Sequence, residues 1–83
     1  MFWKKRVIIM LHKVRFNDLE DVREFVEAAS ECKCDVDISY DRVLVDAKSI
    51  MGVLGMDLRR DLTVNCHGDC ADFARTIRKW CVA

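Results

Sequence analysis

The cysteines are the first residues whose chemistry stands out in this chain of 83 residues. There are five, an odd number, and four of them form two groups, Cys32-x-Cys34 and Cys66-His67-x-x-Cys70. Thiolates and imidazoles bind zinc, but neither pair of cysteines has the two-residue gap that is usual in a structural zinc site. With no recognisable secretory signal, the sequence predicts reduced thiols without a disulfide framework or a metal. A small thiol or zinc-binding domain is kept as an alternative.

Ser49 is the second residue with chemistry to offer, because it directly precedes a short apolar stretch as a helix-capping serine would. The apolar residues that follow it are Ile50, Met51, Val53 and Leu54. A phosphate on Ser49 would meet unpaired backbone N–H groups at the start of this helix, beside the positive charge of Lys48. Since a helix this short cannot bury all four apolar side chains, we expect Met51 and Leu54 to face solvent and to suit a partner.

The elements that must position these groups follow from hydrophobic periodicity. The segment Arg6–Val14 contains five consecutive apolar residues and predicts a buried central strand. A helix is then expected from Asp18, its N-cap, to an end between residues 30 and 33. Its predicted buried face consists of Leu19, Val22, Val26 and Ala29.

The second half of the chain predicts three more strands and two helices. Residues 35–40 and 43–45 form a hairpin around Asp41-Arg42, and Ser49 then opens a helix that ends at Gly55. Apolar and polar residues alternate over residues 62–66, which predicts a fourth strand. A last helix starts near Gly68, with helically spaced apolar residues at Cys70, Phe73, Ile77 and Cys81. The order β-α-β-β-α-β-α predicts an α+β domain, a four-stranded antiparallel sheet covered on one face by helices.

Composition narrows the class of protein. Lys plus Arg and Asp plus Glu number 14 each, so the chain lacks the basic excess of a general nucleic-acid binder. The chain contains no proline and no linker-like stretch, which predicts one domain over residues 1–83. Its apolar runs are too short for a signal peptide or a membrane span, so we expect a cytoplasmic protein with no membrane partner.

The segment Asp46–Leu54 resembles the regulatory-serine motif of HPr, the histidine-containing phosphocarrier of the bacterial sugar phosphotransferase system. The similarity extends from residue 18 onward, and the loop 55–61 is slightly shorter than usual for that family. The other segments that carry it are Ala28-Ala29-Ser30, residues 35–38 with Tyr40, and Leu62-Thr63-Val64 with Gly68. The resemblance implies the HPr-like open-faced β-sandwich and a regulatory serine at Ser49.

The resemblance also reveals a departure at the phospho-accepting histidine. Alignment without gaps places Asp18 at that position, Glu20 at the family's arginine and Asp21 at its proline. The family uses an imidazole nitrogen as the nucleophile, and acids around the site would repel a phosphate. The segment 11–15 faintly resembles the histidine motif, so a phosphocarrier that uses His12 is the alternative, although it requires several inserted residues.

The sequence therefore predicts a non-catalytic, HPr-like regulatory protein without a cofactor. An HPr kinase/phosphorylase-type enzyme is expected to phosphorylate Ser49. The modified chain would then dock to a transcription regulator or a sugar-system protein of carbon metabolism. The residues expected to contact these partners are Lys48, Ile50, Met51, Val53 and Leu54.

Overall fold

The computed structural model of the protein describes residues 9–68 and 70–82, and its elements follow the predicted order. The strands are Ile9–Val14 (β1), Asp35–Tyr40 (β2), Val43–Asp46 (β3) and Leu62–His67 (β4). The helices are Leu19–Glu31 (α1), Ile50–Leu54 (α2) and Ala71–Ile77 (α3), followed by a 3₁₀ helix at Arg78–Trp80. The α+β class is confirmed. No helix in the described ranges is long and apolar enough to cross a membrane.

The four strands form one antiparallel sheet in the order β1-β4-β2-β3. The predicted central position of the first strand is wrong, because β1 lies at an edge, and residues 6–8 of the prediction lie outside the described residues. Leu11, opposite Asn65 on β4, is 65% exposed. A continuous apolar run cannot by itself distinguish a central strand from an edge strand with one open face.

The core lies between one face of this sheet and the helices. Across the β2–β4 pair, Val36 is opposite Cys66 and Ile38 is opposite Val64, and all four are buried. The predicted alternation of β2 and β4 is therefore confirmed, and it places their apolar residues on the helical side. Between the buried residues of β4, Thr63 and Asn65 are half-buried.

Helix α1 begins and ends within the predicted limits, but its buried face is shifted. Val22, Val26 and Ala29 are buried as predicted, and Phe25 joins them. Leu19 has the expected helical phase, yet it occupies the first position of the helix and remains exposed. Phe25 contacts Phe16, Phe73 and Trp80 through ring pairs, so these aromatic residues join α1 to the C-terminal segment.

The turn between β2 and β3 is Asp41-Arg42, as predicted. Asp41 has a φ of 49°, and it is the single non-glycine residue with positive φ among those described. Aspartate tolerates this left-handed conformation better than most side chains. Arg42, a poor candidate for positive φ, does not adopt it, so the sequence and the turn agree.

Candidate functional site

Ser49 caps α2 as predicted. Its backbone is extended, with φ −102° and ψ 103°, and its Oγ accepts a hydrogen bond from the backbone N–H of Gly52 at 3.2 Å. The Ser49 N–H donates to the carbonyl oxygen of Asp46, whose carboxylate also accepts from the N–H of Lys48. These three hydrogen bonds fix the turn that leads into α2, and they leave the Ser49 residue exposed at the surface.

Gly52 allows α2 to lie close to β3. A Cβ atom at this position would lie 2.7 Å from Cγ1 of Val45 and 3.2 Å from Oγ of Ser49. The first distance is shorter than real Cβ contacts, so any larger residue would push the helix or Val45 away. Gly52 therefore holds the Ser49 cap against the sheet. The sequence alone does not reveal this role, since it depends on the packing of two separate elements.

Exposed apolar side chains surround the cap. Met51 is 80% exposed, Leu54 45% and Ile50 40%, so the prediction that Met51 and Leu54 face solvent is confirmed. The inclusion of Val53 among the partner-contacting residues is wrong, because Val53 is completely buried in the core. Val53 is the single buried residue of this five-residue helix. We call Ile50, Met51 and Leu54 the α2 patch.

Lys48 is half-buried, and its ammonium is directed at the end of α1. Its Nζ donates a hydrogen bond of 2.9 Å to the carbonyl oxygen of Cys32. That carbonyl belongs to the C-cap residue of α1, where helical carbonyls have no partner within the helix. Lys48 is thus a positive charge near Ser49, and it also joins the start of α2 to the end of α1.

Asp18 is the N-cap of α1. Its Oδ1 accepts from the backbone N–H of Asp21 at 3.0 Å, and Oδ2 of Asp21 accepts from the N–H of Asn17 at 2.9 Å. Glu20 adds a third carboxylate to this short segment. The start of α1 therefore carries three acidic groups, and one of them, Asp18, accepts a hydrogen bond from a free N–H group of the helix. Such an arrangement repels a second anion.

His12 lies in the middle of β1, opposite Val64 on β4, six residues before Asp18. Its Nε2 is buried and has no hydrogen-bond partner among the described residues. The strand does not end at His12, because β1 continues to Val14. The position is distinct from the start of α1, where the resemblance locates the phospho-accepting group.

The prediction that the cysteines are all reduced thiols is wrong. Cys32 and Cys70 form a disulfide, with their Cα atoms 6.6 Å apart, which joins the end of α1 to the start of α3. Cys66 is a buried thiol in β4, and its Sγ lies within 4.8 Å of the other two sulfurs. Cys34 lies beside Gly68, which has a φ of 143° and where a Cβ would be 2.4 Å from the Cys34 sulfur. Spacing along the sequence could not indicate this pairing, because it arises where two helix ends meet.

The fold that positions these residues is also seen in a solved structure. The crystal structure of HPr-C-His from Thermoanaerobacter tengcongensis matches 90% of this chain and 89% of its own, with a TM-score of 0.65 at 19% sequence identity. This similarity identifies the fold as that of HPr, an open antiparallel sheet with three helices. The prediction of an HPr-like fold is therefore confirmed.

A family model described as PTS HPr component phosphorylation site matches residues 21–79, well over half of the chain. The chain therefore belongs to the HPr phosphocarrier family, as the resemblance indicated. The matched segment includes Ser49 and the α2 patch but begins after Asp18. A search of curated proteins found no match.

Proposed function

We propose that this HPr-family chain is a non-catalytic regulatory protein whose Ser49 is phosphorylated by an HPr kinase-type enzyme. The observation that carries the proposal is the exposed capping hydroxyl of Ser49 within the α2 patch. In the transfer, the Ser49 oxygen attacks the γ-phosphorus of ATP, its proton passes to a base of the kinase, and ADP leaves. The chain supplies the acceptor, and the kinase supplies the catalytic groups.

The added phosphate would change the surface at one point. It brings a charge of about −2 and three strong hydrogen-bond acceptors. The Gly52 N–H, which now donates to the Ser49 hydroxyl, is available to an oxygen on the same side chain. Modification would therefore leave the helix capped and add negative charge to an otherwise apolar surface.

The α2 patch suits a protein partner. Three exposed apolar side chains lie within five residues, and Met51, the most exposed, has a flexible side chain that adapts to varied surfaces. We propose that a transcription regulator or a sugar-system protein docks here and reads the apolar patch together with the phosphate. The partly buried Lys48 would contribute a cation at the rim of this contact.

Two observations favour regulation over phosphoryl relay. The start of α1 carries Asp18, Glu20 and Asp21, which lack the imidazole nucleophile and repel a phosphate. The alternative acceptor, His12, lies within β1, six residues before the N-cap of α1, and its Nε2 is buried. We therefore propose that the chain does not relay phosphate from phosphoenolpyruvate.

The test is incubation of the protein with ATP, magnesium and an HPr kinase, followed by intact-mass analysis and peptide mapping. We expect one phosphate per chain, on Ser49, and none on the Ser49→Ala variant. An ordinary HPr in the same tube reports that the kinase is active. Phosphorylation of that control while this chain remains unmodified would contradict the proposal.

A further inference from the structure

Three cysteine sulfurs from three different elements meet at one end of the helical layer. Cys32 directly follows α1, Cys66 lies in β4, and Cys70 directly precedes α3. Their Sγ atoms all lie within 4.8 Å of one another. Cys66 is buried on the side of the core, whereas Cys32 and Cys70 are partly buried. The regulatory function proposed for Ser49 makes no use of this cluster.

The spacing of the sulfurs suits a metal ion. Zinc–thiolate bonds are about 2.3 Å long, so the sulfurs of a tetrahedral site lie about 3.8 Å apart. The Cys66 sulfur lies within about 1 Å of that separation from the other two sulfurs or closer. The Cys32 and Cys70 sulfurs are bonded to each other and would have to move apart after reduction. A donor set made only of thiolates selects thiophilic ions, above all Zn²⁺ and Cu⁺, over hard cations such as Mg²⁺.

An open groove gives access to the cluster from solvent. It has a volume of about 480 Å³, and its lining includes Cys32, Cys34 and Cys70. An ion entering the groove would meet two sulfurs at its wall and Cys66 on the core side. A tetrahedral ion held by three sulfurs would have a fourth coordination position, which a water molecule from the groove could fill. Cys34 lines the same groove without belonging to the 4.8 Å group.

The charge of the surroundings is favourable. Zn²⁺ with three thiolates carries a net charge of −1, and Cu⁺ with three thiolates carries −2. The ammonium of Lys48 is hydrogen-bonded to the backbone carbonyl of Cys32, one of the three cysteines. This partly buried cation is therefore held close to the place where negative charge would accumulate.

We propose that Cys32, Cys66 and Cys70 bind one thiophilic d¹⁰ metal ion when the Cys32–Cys70 disulfide is reduced. A dithiol reductant supplies two electrons and two protons, so the disulfide becomes two thiols and the reductant becomes a disulfide. The three thiols then lose their protons to solvent as they bind the ion. In the oxidised chain two of the three sulfurs are bonded to each other, and the site is closed.

The test compares reduced and oxidised protein without any mutation. Both forms are mixed with Zn²⁺ in the absence of oxygen, passed through a desalting column and analysed for metal. We expect about one Zn²⁺ per reduced chain and none per oxidised chain. A further sample of reduced protein receives Zn²⁺ and Cu⁺ together, and metal analysis shows which of the two ions it retains. Co²⁺ substituted for Zn²⁺ should give thiolate-to-metal charge-transfer absorption, which reports sulfur ligation directly.

Matched variants locate the ligands. Cys66→Ser and Cys70→Ser should lose stoichiometric metal and the charge-transfer band, whereas Cys81→Ser, which removes an exposed thiol outside the cluster, should retain both. Circular dichroism shows whether the Cys66→Ser variant, which changes a buried residue, still folds. If it does not fold, the Cys70→Ser variant alone tests metal binding by the cluster. Absence of metal from the reduced chain, equal binding by the oxidised chain, or binding that survives Cys70→Ser would overturn the proposal.

Discussion

The ammonium of Lys48 lies 2.9 Å from the carbonyl oxygen of Cys32. This single hydrogen bond connects the residue before the Ser49 cap to the residue that ends α1 and enters the disulfide. The turn that presents Ser49 is therefore supported both from within α2 and from the neighbouring helix.

Replacement of Lys48 by methionine should lower the free energy of unfolding. The variant keeps the apolar stem but leaves the half-buried Cys32 carbonyl without its charged donor, a loss of about 1 kcal/mol. Urea denaturation followed by circular dichroism measures it. Lys33→Met, at an exposed neighbouring position, is the control and should change stability by less than about 0.5 kcal/mol. Equal effects of the two variants would show that the Lys48 contact contributes nothing specific.

Gly52→Ala should destabilise the protein even though alanine is the better helix former. The gain in helix propensity is at most about 1 kcal/mol. The new methyl group would lie 2.7 Å from Cγ1 of Val45, and such overpacking typically costs about 1–3 kcal/mol. Thermal unfolding should therefore shift to lower temperature.

Two further variants test this explanation. At Gly55 a Cβ would make only ordinary van der Waals contacts, the nearest at 3.4 Å, and the backbone is right-handed, so Gly55→Ala should be neutral or stabilising. The double variant Gly52→Ala/Val45→Ala removes the clashing methyl group and should recover part of the Gly52→Ala loss relative to Val45→Ala alone. Additive losses would show that the clash is not the cause.

Reduction of the Cys32–Cys70 disulfide should lower stability measurably in metal-free buffer. The bond closes a loop with a sequence separation of 38 residues, for which loop entropy predicts about 2–4 kcal/mol. The midpoint of urea unfolding, measured with and without a dithiol reductant, reports the effect. Cys70→Ser should make the midpoint insensitive to the reductant, whereas Cys81→Ser should not. An identical midpoint in both buffers for the unmodified chain would contradict a stabilising disulfide.

Met51→Asp should impair docking without harming the fold. Met51 is the most exposed member of the α2 patch, so its replacement should change stability by less than about 0.5 kcal/mol. A charge at the centre of an apolar contact should slow phosphorylation of Ser49 by an HPr kinase, measured as initial rate. Leu44→Asp is the matched control, an exposed leucine on β3, and should leave the rate unchanged. Equal rates for the two variants would exclude the patch from kinase recognition.

The sequence predicted the parts of this molecule that depend on local pattern. Ser49 could be recognised as a cap, because a serine before apolar residues is a local signal, and the alternation of β2 and β4 predicted their buried faces. The exposure of Met51 and Leu54 also followed from local reasoning, because a helix of five residues has too few inward positions for four apolar side chains.

The parts that could not be predicted depend on contacts between distant segments. The edge position of β1 is set by strand order, and the disulfide is set by the meeting of two helix ends. Val53 was misplaced because the rotation of α2 is fixed by the close approach of Gly52 to Val45, two elements that the sequence shows separately. Periodicity defines which residues share a face, but it does not define what covers that face.

The central claim is that the phosphate chemistry of this chain lies at Ser49 and not at a histidine. The most direct measurement is a side-by-side reaction of the protein with ATP and an HPr kinase, and with phosphoenolpyruvate and Enzyme I. Phosphorylation sites are then mapped under conditions that preserve phosphohistidine. We predict phosphoserine at position 49 in the first reaction and no phosphorylation in the second. A phosphoryl group on His12 from phosphoenolpyruvate, with Ser49 unmodified by ATP, would contradict the account.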